Sequence, residues 1–386
     1  MAEMGSTDPS TDVSSPVEPD ERVRVPDGTA LCLSGGGYRA MLFHVGALWR
    51  LNELGYLTRL DRVSSVSGGS ITAGCLAVGW RDLRFDGAGT ATNLREVLVD
   101  PIRGLAGRTI DVASVVIGAL TPSSAAGRVA GALRKHLMSA ATLQDLPDRP
   151  RFVINATNLQ SGALWRFSKP YMADYTVGLI RQPDVPVAVA VAASAAFPPV
   201  LSPLHLTVDP QAFEPAANGP LAQPPFNTRV ELSDGGVYDN LALETAWKRC
   251  STLLVSDGGG RLGPEGSIAW DWARHAIRVN SVIDHQVRNL RKRQLIAGFR
   301  RGDRAGVYWG IRTDVADYGP PGALPCPPKR TTVLAETPTR LKRMPAALQE
   351  RLVNWGYAVC DAAMRSRVEP DAEPPVAFPY PRTGIG

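Results

Sequence analysis

Long apolar runs are missing from this 386-residue sequence. No window reaches the roughly 18 uninterrupted apolar residues of a membrane-spanning helix. The longest candidate, Val185 to Val200, is alanine-rich and broken by Pro198 and Pro199. Cysteine is sparse: Cys32, Cys75, Cys250, Cys326 and Cys360 are scattered, odd in number and without Cys-x-x-Cys spacing. Buried or idle reduced thiols fit that set better than a disulfide framework or a metal site. Charge of one sign is not in large excess either. A net +5 with pI near 9.0 does not call for nucleic acid, and is compatible with contact at an anionic lipid surface. Internal repeats are lacking. The first 25 residues hold Ser, Thr, Pro, Asp and Glu without an apolar stretch, which predicts an unstructured leader and not a signal peptide. These absences point to a cytoplasmic protein that at most touches membranes without crossing them.

What is present is ordinary globular composition, 44% apolar and 20% charged, with alternating strand and helix patterns. Thr29 to Leu33 reads as a strand ending in Gly35-Gly36-Gly37, and from Tyr38 a helical face of Met41, Val45, Leu48, Leu51 and Leu54 runs to Gly55. Asp61 to Val66 is the next strand and Gly69 to Trp80 the next helix, an order that predicts parallel strands joined by crossovers. Residues 81 to 150 are less regular and read as a helical insertion, with short helices at Val112 to Leu120 and Ala125 to Met138. Strands follow at Arg151 to Thr157 and Ala163 to Phe167, then a buried helix at Val185 to Ala196 and a surface loop at 209 to 228. Arg229 to Ser233 is a strand running into Asp234-Gly235-Gly236, and Leu241 to Cys250 is helical. Thr252 to Ser256 is a strand running into a second Asp-Gly-Gly at Asp257, and Trp270 to Arg301 is a long helix. A proline-rich tail from Glu369, expected to be unstructured, closes the chain.

Two glycine-framed turns carry the chemistry. Ser67 sits in Ser65-Val66-Ser67-Gly68-Gly69, on a tight strand-to-helix turn of near Gly-x-Ser-x-Gly form, where a serine can stand as an exposed nucleophile. The pattern is imperfect at Ser65, and glycine-serine turns are also common structural features. The Gly35 to Gly37 run offers a row of amides at a helix N-terminus, suited to a developing oxyanion. It also fits a dinucleotide fingerprint, but no acidic residue ends the second strand to hold a ribose. A base is needed. His44, His136, His205, His275 and His285 lie outside the glycine turns, and a lone histidine is more often packed or at the surface than catalytic. Asp234 ends a strand and should meet the other turns at the carboxyl edge of the sheet, provided it is desolvated enough to take a proton. Asp257 is its rival. Asp239 and Asn240, which can brace the turn and cap the next helix, favour Asp234.

Together, Gly35 to Arg39, Ser65 to Gly69 and Asp234 to Gly236 resemble the patatin-like phospholipase family, with weaker echoes at Ala193 to Pro198 and Ala156 to Asn158. The resemblance covers about residues 28 to 260. It implies a three-layer α/β fold with a mainly parallel central sheet, helices on both faces and a helical insertion at about 81–150. The organisation it suggests is a leader at 1–25, one hydrolase domain at 26–365 and a tail at 366–386. It implies hydrolysis of phospholipid or lysophospholipid acyl esters by a Ser67–Asp234 dyad without histidine, metal or cofactor. Gly35, Gly36, Gly37 and possible help from Gly68 would serve the oxyanion, and Arg39 would steady that loop or meet a substrate phosphate. Ala40, where the family often has glycine, and Ser65 depart from its pattern. Two other functions fit the residues: a triad esterase using His275 or His285, and a membrane-surface or partner-binding protein whose basic stretch Arg288 to Arg304 meets anionic lipid. In the latter, Val279, Ile283, Val287 and Leu290 form the apolar side of the same helix, which in an ordinary surface helix faces the core.

Overall fold

The structure is a computed structural model that describes residues 26–110 and 122–386. The expected leader at 1–25 and the expected short helix at 112–120 lie outside the described residues. The chain opens with β1 (Thr29–Leu33), α1 (Gly37–Glu53), β2 (Arg62–Ser65) and α2 (Gly68–Val78). The insertion is helical where described, with α3 (Asp100–Ala106) and α4 (Pro122–Leu133). Then come β3 (Arg151–Asn158), β4 (Leu164–Phe167), β5 (Tyr171–Asp174), β6 (Gly178–Arg181) and α5 (Val187–Ser194). The site-forming stretch follows as β7 (Leu204–Thr207), β8 (Arg229–Asp234), α6 (Gly236–Asp239), α7 (Glu244–Trp247) and β9 (Thr252–Asp257). The last elements are α8 (Trp272–Arg301), β10 (Ala305–Gly310), α9 (Pro328–Ala335) and α10 (Ala346–Arg367).

One sheet carries the ten strands of the described residues, in the order β10-β9-β1-β2-β3-β4-β5-β6, with β8 paired to β3 and β7 to β8. The run β10-β9-β1-β2-β3 is parallel, whereas the pairings beyond it, including β3 with β8, are antiparallel. Strand alternation explains the layers. Leu31 and Leu33 face one core with Met41, Phe43 and Val359. Ala30 and Cys32 face a second core with Leu243, Ala246 and Leu295. A strand covered on both sides has no polar face, so β1 reads as a continuous apolar run.

Several segments differ from the sequence reading. The helix expected at Leu241 to Cys250 is cut to the single turn of α7. Ala242 has φ 57°, a left-handed conformation that stops any helix entering from Asp239. β7, β10 and α10 carry no expectation from sequence. α10 packs along α1, tied by Arg50 to Asp361 at 2.8 Å; Arg365, one turn further along α10, also meets Asp361 at 3.0 Å, and all three are buried. The proline-rich tail is held to α10. Asn354 donates to the carbonyls of Tyr380 and Gly384 and accepts from the Tyr380 amide.

Candidate active site

β3 assembles the site. β4 covers one of its edges from Ile154 to Thr157, so β2 and β8 share the other. β2 ends with Ser65 opposite Ile154. β8 arrives from the opposite direction and ends with Asp234 opposite Ala156. The two strand ends therefore meet nearly head to head. Asp234, expected at the carboxyl edge with the other turns, meets the serine turn there from an antiparallel strand, whose register against β3 sets its level.

Ser67 occupies φ 53°, ψ −120° at the start of α2. That region is rare for residues with a side chain and marks a strained turn of the nucleophile-elbow kind. The Ser67 amide donates to Ser194 Oγ at 3.0 Å, and Ser194 and Ser70 hydroxyls lie 2.9 Å apart. Ser194, at the end of α5, also accepts the Gly235 amide through its carbonyl at 3.2 Å. One serine thus ties both turns together. From sequence its segment, Ala193 to Pro198, shows only as a family echo.

Asp234 is buried. Its amide donates to the Ala196 carbonyl at 2.9 Å, and its carbonyl accepts from Thr157 Oγ1 at 2.8 Å. Oδ1 accepts from the Gly236 amide at 2.8 Å. The carboxyl pKa is pushed up to about 7 by burial, against the opposing pull of the Gly236 amide and the nearby Ser67 hydroxyl. Oδ2 is buried and has no partner in hydrogen-bonding geometry. A desolvated carboxyl near neutrality with one open oxygen is chemically able to accept a proton.

Asp257 answers to the same local pattern but has a different environment. Its Oδ2 takes Arg288 at 3.1 Å, Lys292 at 3.1 Å and the Tyr308 hydroxyl at 2.7 Å, and Oδ1 takes the Gly259 amide at 3.0 Å. These cations overcome burial and hold it well below the usual carboxylate range. It is a fixed anion, not a base.

The amides of the triple glycine divide. Gly35 donates to the Asn240 carbonyl at 3.1 Å, which corrects its place in the expected oxyanion set: its proton is already used. Among the described residues, no acceptor takes the amides of Gly36, Gly37 or Gly68. Gly37 has φ 59°, and a Cβ there would lie 2.8 Å from the Arg340 carbonyl. A Cβ on Gly68 would lie 2.3 Å from the Gly37 carbonyl, so the two turns touch backbone to backbone. Arg39 is buried beneath this loop. Its Nε donates to the Gly258 carbonyl at 3.1 Å and its Nη1 to the Thr337 carbonyl at 2.5 Å. Burial and Arg288 draw its pKa down to about 10, which leaves it cationic at neutral pH. Asp239 and Asn240 brace the region as expected. Asp239 accepts the amides of Leu241 at 3.1 Å and Glu244 at 2.7 Å.

No histidine among the described residues is hydrogen-bonded to Ser67 or Asp234. His44 is buried, with Nε2 at 2.9 Å from the Ser34 carbonyl and Nδ1 at 2.8 Å from Ser256 Oγ. A carbonyl only accepts, so Nε2 carries the proton and Nδ1 accepts from Ser256. Burial pulls its pKa down to about 4, which keeps it neutral. His285 sits on α8, 3.3 Å from Asn289. His275 lies exposed in the first turn of the same helix. The expected triad partners are thus not brought to the serine.

Among curated proteins, none matches this chain. Solved structures with weak similarity include human GIVD cytosolic phospholipase A2, at 13% identity and TM-score 0.47, covering 90% of this chain and 63% of that one. The same human protein in complex with methyl gamma-linolenyl fluorophosphonate gives 14% identity and TM-score 0.47, covering 92% and 60%. VipD from Legionella pneumophila gives 17% identity and TM-score 0.35, covering 87% and 66%. The chain therefore spans less than two thirds of these proteins. The sequence pattern of the patatin-like phospholipase family matches residues 31–247, from β1 to α7. On that match the chain belongs to the patatin-like phospholipase family.

Proposed function

We propose that the protein is a serine acyl hydrolase that cleaves fatty-acyl esters of phospholipids or lysophospholipids, acting in the cytoplasm through one hydrolase domain at residues 26–365. Ser67 Oγ attacks the ester carbonyl carbon while its proton passes to Oδ2 of Asp234. The amides of Gly36, Gly37 and Gly68 take the charge that develops on the carbonyl oxygen. Collapse of the adduct expels the alcohol portion, which recovers the proton from Asp234, and leaves an ester on Ser67. Water attacks that ester with Asp234 again as base, so the fatty acid departs and the serine is restored. Arg39 is a positioning residue that holds the glycine loop from below.

The observation that carries this reading is the open, desolvated Oδ2 of Asp234 beside a serine in a strained turn. The experiment is release of free fatty acid from phosphatidylcholine and lysophosphatidylcholine in the presence of a chelator. Ser67→Ala and Asp234→Asn should each lower turnover by about 10³-fold or more. An unchanged rate in Ser67→Ala would refute the assignment.

A further inference from the structure

α8 is packed inside out. Along its whole length the buried residues are Arg288, Leu295 and Gly298. Three of its cations turn inward: Arg288 and Lys292 hold Asp257, and Arg291 holds Glu244 at 2.6 Å. Several of its apolar residues turn outward, although Leu295 and Phe299 pack inward. Trp272 is 84% exposed, Val279 44%, Ile283 55% and Leu290 59%, and the preceding Trp270 is fully exposed. The basic stretch expected to meet lipid thus partly anchors the helix, and the face expected in the core is outside.

The outward residues are ordered. At 3.6 residues per turn, Trp272, Val279, Ile283 and Leu290 fall in one sector about 40° wide and about 27 Å long, opposite Arg288 and Leu295. Beyond Leu290 the exposed side carries Arg293, Arg300 and Arg301. The helix holds eight Arg and Lys against one acid, Asp284. Tryptophan at one end, an aliphatic stripe and arginine at the other is the pattern of a helix lying in an anionic membrane interface. A second copy of the chain fits less well. A coiled-coil seam would need apolar residues at 286 and 293, where Gln286 and Arg293 stand, and exposed Ile277 and Val282 lie outside the seam. The helix also lies beside the site: α6, which follows Asp234 and exposes Val237, packs against α8.

Building on the lipid-hydrolase reading, we propose that the outer face of α8, from Trp270 to Leu290, docks the protein on an anionic lipid surface with the Ser67 site beside it. The test uses the full chain carrying Ser67→Ala, so that vesicles stay intact, in flotation with phosphatidylcholine vesicles with and without phosphatidylglycerol. Adding Trp272→Asp and Ile283→Asp should weaken binding at least tenfold, about 1.4 kcal/mol. Arg293→Glu with Arg300→Glu should remove the preference for phosphatidylglycerol. Because all four side chains are exposed, each variant should keep the parent melting temperature. Binding unchanged in the Trp272 and Ile283 variant overturns the proposal, as does no binding by the parent. A parent dimer in light scattering that this variant splits would assign the face to a second copy instead. Vesicle binding lost in the variant, in a protein inert toward every ester, would leave the docking face standing and remove the hydrolase reading.

Discussion

Ser65 and Asp234 oppose Ile154 and Ala156, two positions apart on the same edge of β3. One strand rises to that point and the other descends to it. The serine turn after β2 and the carboxyl at the end of β8 are thereby set by sheet hydrogen bonds rather than by loops, which suits a site that must hold its geometry.

The first prediction concerns pH. Asp234 must be ionised to accept a proton, and burial pushes its pKa up to about 7. On a soluble short-chain ester, kcat/KM should rise with pH through about 7 and level off above it. A profile that is flat from pH 5 to 8, or that turns near the ordinary carboxylate value of about 4, would contradict the role.

The same shift has a stability cost of opposite sense. A carboxyl whose folded pKa is raised favours the folded state while protonated, and that contribution is lost as pH rises from about 4 to about 7. Asp234→Asn should therefore raise the melting temperature at pH 8 and leave it nearly unchanged at pH 4. The gain at pH 8 has an upper bound of ~4 kcal/mol. Thermal unfolding of both proteins at the two pH values checks this.

Asp257 should behave in the contrary way. Its carboxylate neutralises two buried-side cations, so Asp257→Ala leaves Arg288 without its partner and should cost about 3–5 kcal/mol. Ser67→Ala should leave the melting temperature near that of the parent. Equal stability of the two variants would show that the second Asp-Gly-Gly is not a brace.

Gly68→Ala places a methyl 2.3 Å from the Gly37 carbonyl and pushes apart the two turns that supply free amides. Turnover of the soluble ester should fall about 10²- to 10³-fold, the scale of a lost oxyanion donor. Labelling of Ser67 that falls equally would instead indicate damage to the nucleophile turn. Replacement of His275 and His285 together by alanine should leave turnover within twofold.

Much of the site was legible in the sequence because its parts are local. Glycines fix the turns at Gly35 and Ser67, and short apolar runs fix the strands before them. The direction of β8 was not legible, since an antiparallel or parallel partner of β3 needs the same residues. The roles of Asp234 and Asp257 were not separable by spacing either. They part only when α8 delivers Arg288, 31 residues downstream of Asp257, and Lys292 to one of them. The outward stripe of α8 shows the same limit, for helical periodicity gives two faces without saying which is inside.

The most direct measurement is site mapping of covalent labelling by a fluorophosphonate probe. A single adduct on Ser67, formed faster as pH rises through about 7 and strongly slowed in Asp234→Asn, is the result expected. An adduct on another serine, or one on Ser67 at the same rate without the Asp234 carboxylate, would contradict the account.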